Sequence, residues 1–296
     1  MARRILVTGA TGTVGSRVIR ELSGRIPSGD IVAATRDPAR LGGAPDTPRA
    51  VRLDMDDPGT IAPAVQGVDT LFLLTGYSVS MLLHSKRILD AAQAAGVRHV
   101  VHMGAWGSAD SRFQHLIWHD FVERYIMTTG MSGIHLRPKT FMQNVLHGLR
   151  NGSTAIRQFY GHQAVGWIDA DDIAAVAAAC LAEPERHAGK VYELAEDARS
   201  MGEVAQILAL ETGLPFVYEP RDPRDLAAIL AKRGMEPAYG ESLAMATVAI
   251  AEGGVADIDK VYANVEAITG RPASRWSDFA RKNRSAFVDK ARAPVR

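Results

Sequence analysis

The sequence predicts an α/β protein built on a doubly wound parallel sheet, and three observations carry that expectation. A short apolar run, Ile5 to Val7, leads directly into Gly9, Gly12 and Gly15, followed by an amphipathic segment with Val14, Val18, Ile19 and Leu22 at helical spacing. Strand-like runs then alternate with helical segments as far as Met103, joined by short connections, which is the pattern of consecutive βα units. The run from Asp69 to Leu74 is almost continuously apolar, as a parallel strand covered on both faces must be.

The opening order of strand, glycine turn and helix is that of a Rossmann dinucleotide site. The helix N-terminus presents unpaired N–H groups and a positive dipole end to a phosphate. Gly9 permits the sharp turn, Gly12 lets a pyrophosphate approach the backbone, and Gly15 lets helix and strand pack closely. Thr11, Thr13 and Val14 fill the turn and are placed with these glycines against the cofactor.

The second strand, Asp30 to Thr35, ends at Arg36, with Arg40 one helical turn later. Dinucleotide folds usually carry a carboxylate about 20 residues past the glycines, bound to the ribose 2′-hydroxyl of NAD. A guanidinium there suits the 2′-phosphate of NADP(H) instead. The adjacent Asp37 keeps NAD(H) as the second option. The third strand, Ala50 to Asp54, ends in a carboxylate that either reaches the adenine or caps a turn. Asp56 and Asp57 precede Pro58 and are expected to cap a helix running to Val65. Thr75 and Gly76 follow the fourth strand, at the sheet edge where open α/β folds bind ligands. A helix from Met81 to Ala95 closes at Gly96, and a fifth strand runs from Val97 to Met103.

With a formal charge of +1 over 296 residues, the chain gives no electrostatic case for nucleic acid or an anionic membrane. No stretch approaches the ~20 apolar residues of a membrane span, and the initial apolar run is too short for a signal peptide. A cytoplasmic protein is expected. The single cysteine, Cys180, reads as a small core residue. The Ala- and Arg-rich composition is that of a high-GC bacterium, which sets secondary metabolism among the expectations.

Further motifs extend the pattern: His119-Asp-Phe-Val-Glu123, Gly133-Ile-His-Leu-Arg-Pro138, Phe141-Met-Gln-Asn144, Trp167 to Ala174, Gly189 to Leu194 and Thr269-Gly-Arg-Pro272. Together with the glycine turn they resemble the NmrA-like atypical short-chain dehydrogenase/reductases. That group includes quinone reductases, triphenylmethane reductases and NADP-sensing regulators. The resemblance implies that Gly104 to Trp106 and Pro138 to Asn144 frame the nicotinamide. Gly104, Pro138 and Phe141 then belong with the cofactor residues, and Tyr77, Trp106, Phe141, Asn144, Tyr160 and Met235 are expected against the substrate.

The wider superfamily reduces carbonyls with a serine and a Tyr-x-x-x-Lys pair, whose tyrosine protonates the forming alkoxide. None of the seven tyrosines here has a lysine four residues on. The serine position falls on Gly104, and the Tyr/Lys positions on His115 and His119. Hydride transfer then suits an acceptor that stabilises its own anion, such as a quinone, a dye cation or a ketone beside a phenol. Alternatively His119 or His115 donates the proton, since histidine titrates near ~6.5. His115, His119 and Glu123 share one helix face, but without further convergent ligands or a zinc-like spacing no metal is expected. Asp169, Asp171 and Asp172 are expected to cap the helix that begins at Ile173.

The second half is richer in large side chains and reads as a smaller, mainly helical substrate-binding lid. Residues 1–145 and 163–196 are assigned to the NAD(P)-binding core, and 146–162 and 197–296 to the lid. Phe159, Tyr160, Met235, Tyr239 and Met245 suggest a bulky, flat substrate, which a small and strongly charged cavity would rule out. The leading function is an NADPH-dependent reductase of a bulky aromatic carbonyl or quinone, ketoreductase-like and fitted to polyketide tailoring. The alternative is a non-catalytic NADP-binding redox sensor. A nucleotide-sugar epimerase is set aside because it needs the missing tyrosine. A small aromatic molecule is the expected partner, and monomer and dimer stay open.

Overall fold

The computed structural model describes residues 3–41, 47–107, 109 and 111–294. In chain order the elements are β1 (Ile5–Val7), α1 (Gly15–Ser23), β2 (Ile31–Thr35), β3 (Arg49–Arg52), α2 (Ile61–Val65), β4 (Thr70–Leu73), α3 (Ser80–Ala94), β5 (His99–Met103), α4 (Gln114–Thr128) and β6 (Ser132–Pro138). There follow β7 (Thr140–Phe141), α5 (Gln143–Gly148), β8 (Ala155–Ile156), β9 (Val165–Ile168), α6 (Ala170–Ala182), α7 (Pro184–His187), β10 (Val191–Leu194), β11 (Asp197–Arg199) and α8 (Met201–Thr212). The last are β12 (Val217–Tyr218), α9 (Leu226–Lys232), α10 (Pro237–Ala251), α11 (Asn264–Thr269), α12 (Trp276–Lys282) and α13 (Arg284–Arg292).

The chain forms two compact units, residues 1–137 with 173–193 and residues 138–172 with 194–296. The expected division put 138–145 and 163–172 with the first unit, whereas the structure gathers both stretches into the second. The reason is local: β7 pairs with β9 and β9 with β11, and Met142, Val145 and Trp167 are buried in the second unit's core.

The first unit carries a seven-stranded sheet in the order β10-β6-β5-β4-β1-β2-β3. Strand pairs β1–β2, β2–β3, β1–β4, β4–β5 and β5–β6 are all parallel. The chain runs outward from β1 to β3 and then returns to the other side of β1, so strand order reverses between β1 and β4, where such sheets bind ligands. Thr8 locks this point. Its hydroxyl donates to the carbonyls of Phe72 and Leu74 at 3.0 Å and accepts from Leu74 N–H at 2.8 Å. Strands β1, β2, β4 and β5 are buried along their whole lengths, as their apolar runs require. Gly96 ends α3 at φ +83°, its N–H bonded to Gln93 and that of Val97 to Ala92.

The second unit is organised on aromatic rings. Trp167, Trp276, Phe279 and Phe287 are each no more than 1% exposed and stack edge to face in series, at centroid distances of 5.2, 5.4 and 6.2 Å. Two small sheets, β11-β9-β7 and β12-β8, lie in this unit. Asp197 receives Trp276 N–H at 2.9 Å and so ties α12 to β11. The unit is mainly helical, as expected, although β9 and β11 add sheet that periodicity did not reveal. No helix among the described residues is long and apolar enough to cross a membrane.

Candidate functional site

The glycine turn is tight at each of its three glycines. Gly9 sits at φ +61°, a region that disfavours a side chain, and Gly12 N–H closes the turn onto Gly9 O at 2.9 Å. A Cβ on Gly12 would lie 3.2 Å from Gly9 O, and one on Gly15 only 2.2 Å from it, so Gly15 is the strictest position. Helix α1 starts at Gly15 with no capping side chain and no acidic residue in its first turn. Its positive end is therefore uncompensated by any carboxylate of that turn. Thr11, Gly12 and Thr13 are exposed, whereas Val14 turns its side chain into the core and has only backbone to offer a ligand.

At the end of β2, Arg36 and Arg40 are both exposed, and neither side chain has a hydrogen bond or ion pair among the described residues. Asp37 is already engaged, its Oδ1 accepting from Ala39 N–H at 3.2 Å within the turn. Asp54 likewise accepts Asp56 N–H at 3.1 Å, the capping alternative considered for it. Asp57 caps the turn at Pro58 through Gly59 N–H, but Asp56 pairs with His84 at 2.9 Å and caps nothing. Thr75 and Gly76 lie just past β4, with Tyr77 70% exposed beside them and Trp106 just past β5.

Where the superfamily keeps its acid residues, this chain has a buried polar cluster. His102 on β5 and His135 on β6 are register partners, with ring centroids 5.8 Å apart. The His119 ring lies 5.8 Å from that of His102. Glu123, one turn beyond His119 on α4, receives two hydrogen bonds from Arg137, at 3.0 Å from Nε and 2.5 Å from Nη2. Arg137 Nη1 also reaches Glu193 at 3.4 Å. Gly104 is buried against this pair.

Neither ring nitrogen of His102 has a hydrogen-bond partner, nor has Nδ1 of His119 or His135. Burial holds His102 well below the ordinary histidine pKa, helped by the charges of His119, His135 and Arg137. It pushes His115 to about 4, and His119 to about 4 with His115 contributing. Both candidate acids are thus neutral imidazoles at pH 7. His102, Glu123 and His135 bring ligand atoms within 4.8 Å of one another, but both Glu123 oxygens already hold Arg137. The sequence reading missed His102 and His135. Their signal was available, since each is a polar residue between apolar neighbours, His102 between Val101 and Met103 and His135 between Ile134 and Leu136.

The second unit holds a cavity of about 480 Å³. Phe159, Leu226, Ile229, Leu230 and Leu243 give it apolar walls, and Asn144 and Tyr160 join them as expected. Met235 does not. It lines a separate cavity of about 240 Å³ with Ala231 and Pro237, because it packs behind Leu226 and Leu230. Of the other proposed lid residues, Tyr239 is buried and Met245 is 54% exposed. Phe141 is partly buried on β7, and Pro138 is buried at the end of β6. Unforeseen were the arginines: Arg150, Arg157, Arg221 and Arg233 all line the larger cavity. It is roomy and its lining is mostly apolar, as expected, but its charged groups are all basic.

Several remaining polar residues serve the fold. Asp169 caps α6 through Asp171 N–H at 3.0 Å, whereas Asp172 receives Ser274 N–H at 2.8 Å, and Asp171 pairs with Lys282. Lys139 is buried, with Nζ donating to the carbonyls of Asp257, Ile258 and Lys260. Cys180 is buried, its thiol pushed up to about 12, and is chemically inert.

Comparison with known proteins places this geometry. The chain is 33% identical to an NAD(P)H azoreductase of Xenophilus azovorans, over 96% of this chain and 99% of that one. It is 30% identical to a (4-alkanoyl-5-oxo-2,5-dihydrofuran-3-yl)methyl phosphate reductase of Streptomyces griseus, over 96% and 99%. The crystal structure of an NADPH-dependent quinone oxidoreductase from Escherichia coli, complexed with NADPH, superposes with a TM-score of 0.79 at 27% identity, covering 94% of this chain and 99% of that one. The NmrA-like family model matches residues 1–277, and on that match the chain belongs to the NmrA-like family.

Proposed function

We propose that this protein is an NADPH-dependent reductase that passes hydride to a quinone or a bulky aromatic carbonyl. An NAD(P)H-dependent oxidoreductase is what its relatives are, the azoreductase and the quinone oxidoreductase among them. The observation that carries the choice of cofactor is at β2. Arg36 and Arg40 are free at the strand end while Asp37 is committed to its own turn, so a 2′-phosphate meets two guanidiniums and no available carboxylate. The uncapped N-terminus of α1, behind an exposed turn at Thr11 to Thr13, supports a pyrophosphate bound there.

When bound, NADPH would supply the hydride, and the glycine turn with Arg36 and Arg40 would hold and orient it. At a pKa of about 4, His119 is protonated in roughly one molecule per thousand at pH 7. A neutral imidazole can donate a hydrogen bond to a developing oxyanion but is a poor proton source. This supports an acceptor whose anion is stable by itself, such as a hydroquinone monoanion, with water delivering the proton. The experiment is NADPH oxidation against a panel of quinones, azo dyes and aryl ketones. Turnover should be seen with quinones first. Tight NADPH binding with no turnover of any acceptor would instead support a redox sensor.

A further inference from the structure

The cavity of the second unit has a chemistry that a neutral aromatic substrate does not explain. Four arginines line it and no acidic side chain does. Only Arg157 has a carboxylate, Glu219 at 2.8 Å. The side chains of Arg150, Arg221 and Arg233 have no hydrogen bond or ion pair among the described residues. Arg150 and Arg233 are exposed and Arg221 is half-buried, so an anion entering the cavity meets three guanidiniums not committed to any carboxylate of the described residues.

The four do not come from one charged run. Arg150 follows α5, Arg157 follows β8, Arg221 follows β12, and Arg233 ends α9. Convergence from four separate stretches distinguishes this from a solvated helix face. Between them lies an apolar wall, with Leu226 and Leu230 buried and Phe159 and Leu243 packed against them. About 480 Å³ is the volume of a small-molecule site.

We propose that this cavity binds a small anionic amphiphile, an oxyanion head of phosphate, sulfonate or carboxylate type joined to an aromatic or acyl body. Arg150, Arg221 and Arg233 hold the head, and Phe159, Leu226 and Leu230 cover the body. Taking this molecule as the substrate rests on the reductase reading above; the anion site itself does not.

Two measurements keep those apart. The first is isothermal titration of the full-length protein with naphthalene sulfonate and with naphthalene methanol. The sulfonate should bind at least tenfold tighter, its affinity should fall as salt is raised, and Arg221→Gln or Arg233→Gln should each weaken it about tenfold. Arg221→Lys should recover part of the loss, since it keeps the charge but not the fork. Equal affinity for the two probes, or losses no larger than those of Arg25→Gln, an exposed arginine of the first unit, would overturn the proposal. A circular-dichroism melt of each variant excludes misfolding as the cause. The second measurement is the ratio of KM for naphthoquinone to KM for naphthoquinone sulfonate, expected near ten or above and near one in the Arg221→Gln/Arg233→Gln double variant. Sulfonate binding without turnover of either quinone would overturn the reductase reading and leave the anion site standing.

Discussion

A Cβ on Gly104 would lie 3.0 Å from Oε1 of Glu123, the carboxylate that Arg137 grips with two hydrogen bonds. The resemblance maps the superfamily's serine to this position, and a side chain here crowds the buried ion pair. A serine at 104 alone is not expected to restore carbonyl reduction, because Glu123 must give by a few tenths of an ångström to admit it. Gly104→Ser should lower stability by about 1–3 kcal/mol, the usual cost of overpacking, and should not raise kcat for aliphatic ketones. A thermal melt and a ketone assay check both. A gain in ketone turnover with an unchanged melt would show that the volume is open after all.

The cofactor assignment is tested at Arg36. A charged hydrogen bond to the 2′-phosphate contributes about 1.5–3 kcal/mol, so Arg36→Ala should weaken NADPH roughly tenfold to a hundredfold. NADH lacks that phosphate and should change by less than about threefold. Fluorescence titration with each nucleotide decides it, and equal losses would remove the assignment.

The buried imidazoles make stability depend on pH in a definite direction. His102, His115, His119 and His135 all have pKa values lowered by burial, His115 and His119 to about 4. In the unfolded chain each titrates near ~6.5. Between about 6.5 and 4 the unfolded state binds protons that the folded state refuses, so stability falls as pH falls through that window. Above it these four groups contribute no slope. Urea midpoints measured from pH 8 down to pH 4.5 should be flat and then decline. His102→Gln should decline less steeply even if it starts lower, because it removes one of the protons taken up. An equally steep decline in that variant would place the acid sensitivity elsewhere.

Much of the first unit was legible in the sequence because its signals are local. The glycines at 9, 12 and 15, the apolar runs of β1, β2, β4 and β5, and Gly96 at the end of α3 each depend on neighbours within a few residues. The same locality explains the free Arg36. What escaped the sequence depends on pairings far apart in the chain. Nothing near His102 announces that His135 lies beside it in register, or that Glu123 on α4 meets Arg137 on β6. The four arginines of the second cavity are spread over residues 150 to 233 and look like ordinary solvated side chains one at a time. Met235 misled for the opposite reason, since a flexible apolar side chain suits a lid and a core equally.

The pH dependence of turnover separates the two fates considered for the proton. An imidazolium acid would have to titrate within the working range, giving a kcat that declines as pH rises through its pKa. With His119 and His115 near 4, kcat for a quinone should be flat from about pH 6 to pH 8. His119→Gln, which keeps a hydrogen-bond donor, should reduce kcat by less than about tenfold. A sharp decline centred near ~6.5 that disappears in His119→Gln would instead make that histidine the acid.

Glu123 and Arg137 form the most consequential charge pair in the first unit. Their side chains are 6% and 14% exposed, and Glu123 holds the Arg137 pKa up while burial opposes it. Removing one partner strands the other charge in a buried site, where it loses its main charged hydrogen-bond partner. Arg137→Met should therefore cost about 3–5 kcal/mol, and Glu123→Gln somewhat less because the amide still accepts from the guanidinium. Removing both, as Glu123→Leu with Arg137→Met, should cost less than Arg137→Met alone, because Glu123 is no longer left as a buried charge and only the longer contact to Glu193 is lost. Chemical denaturation of the wild type, Arg137→Met, Glu123→Leu and the double variant gives the coupling directly. If the double variant equals the sum of its parts, the pair is not coupled, and Gly104 must be kept small for a reason other than this carboxylate.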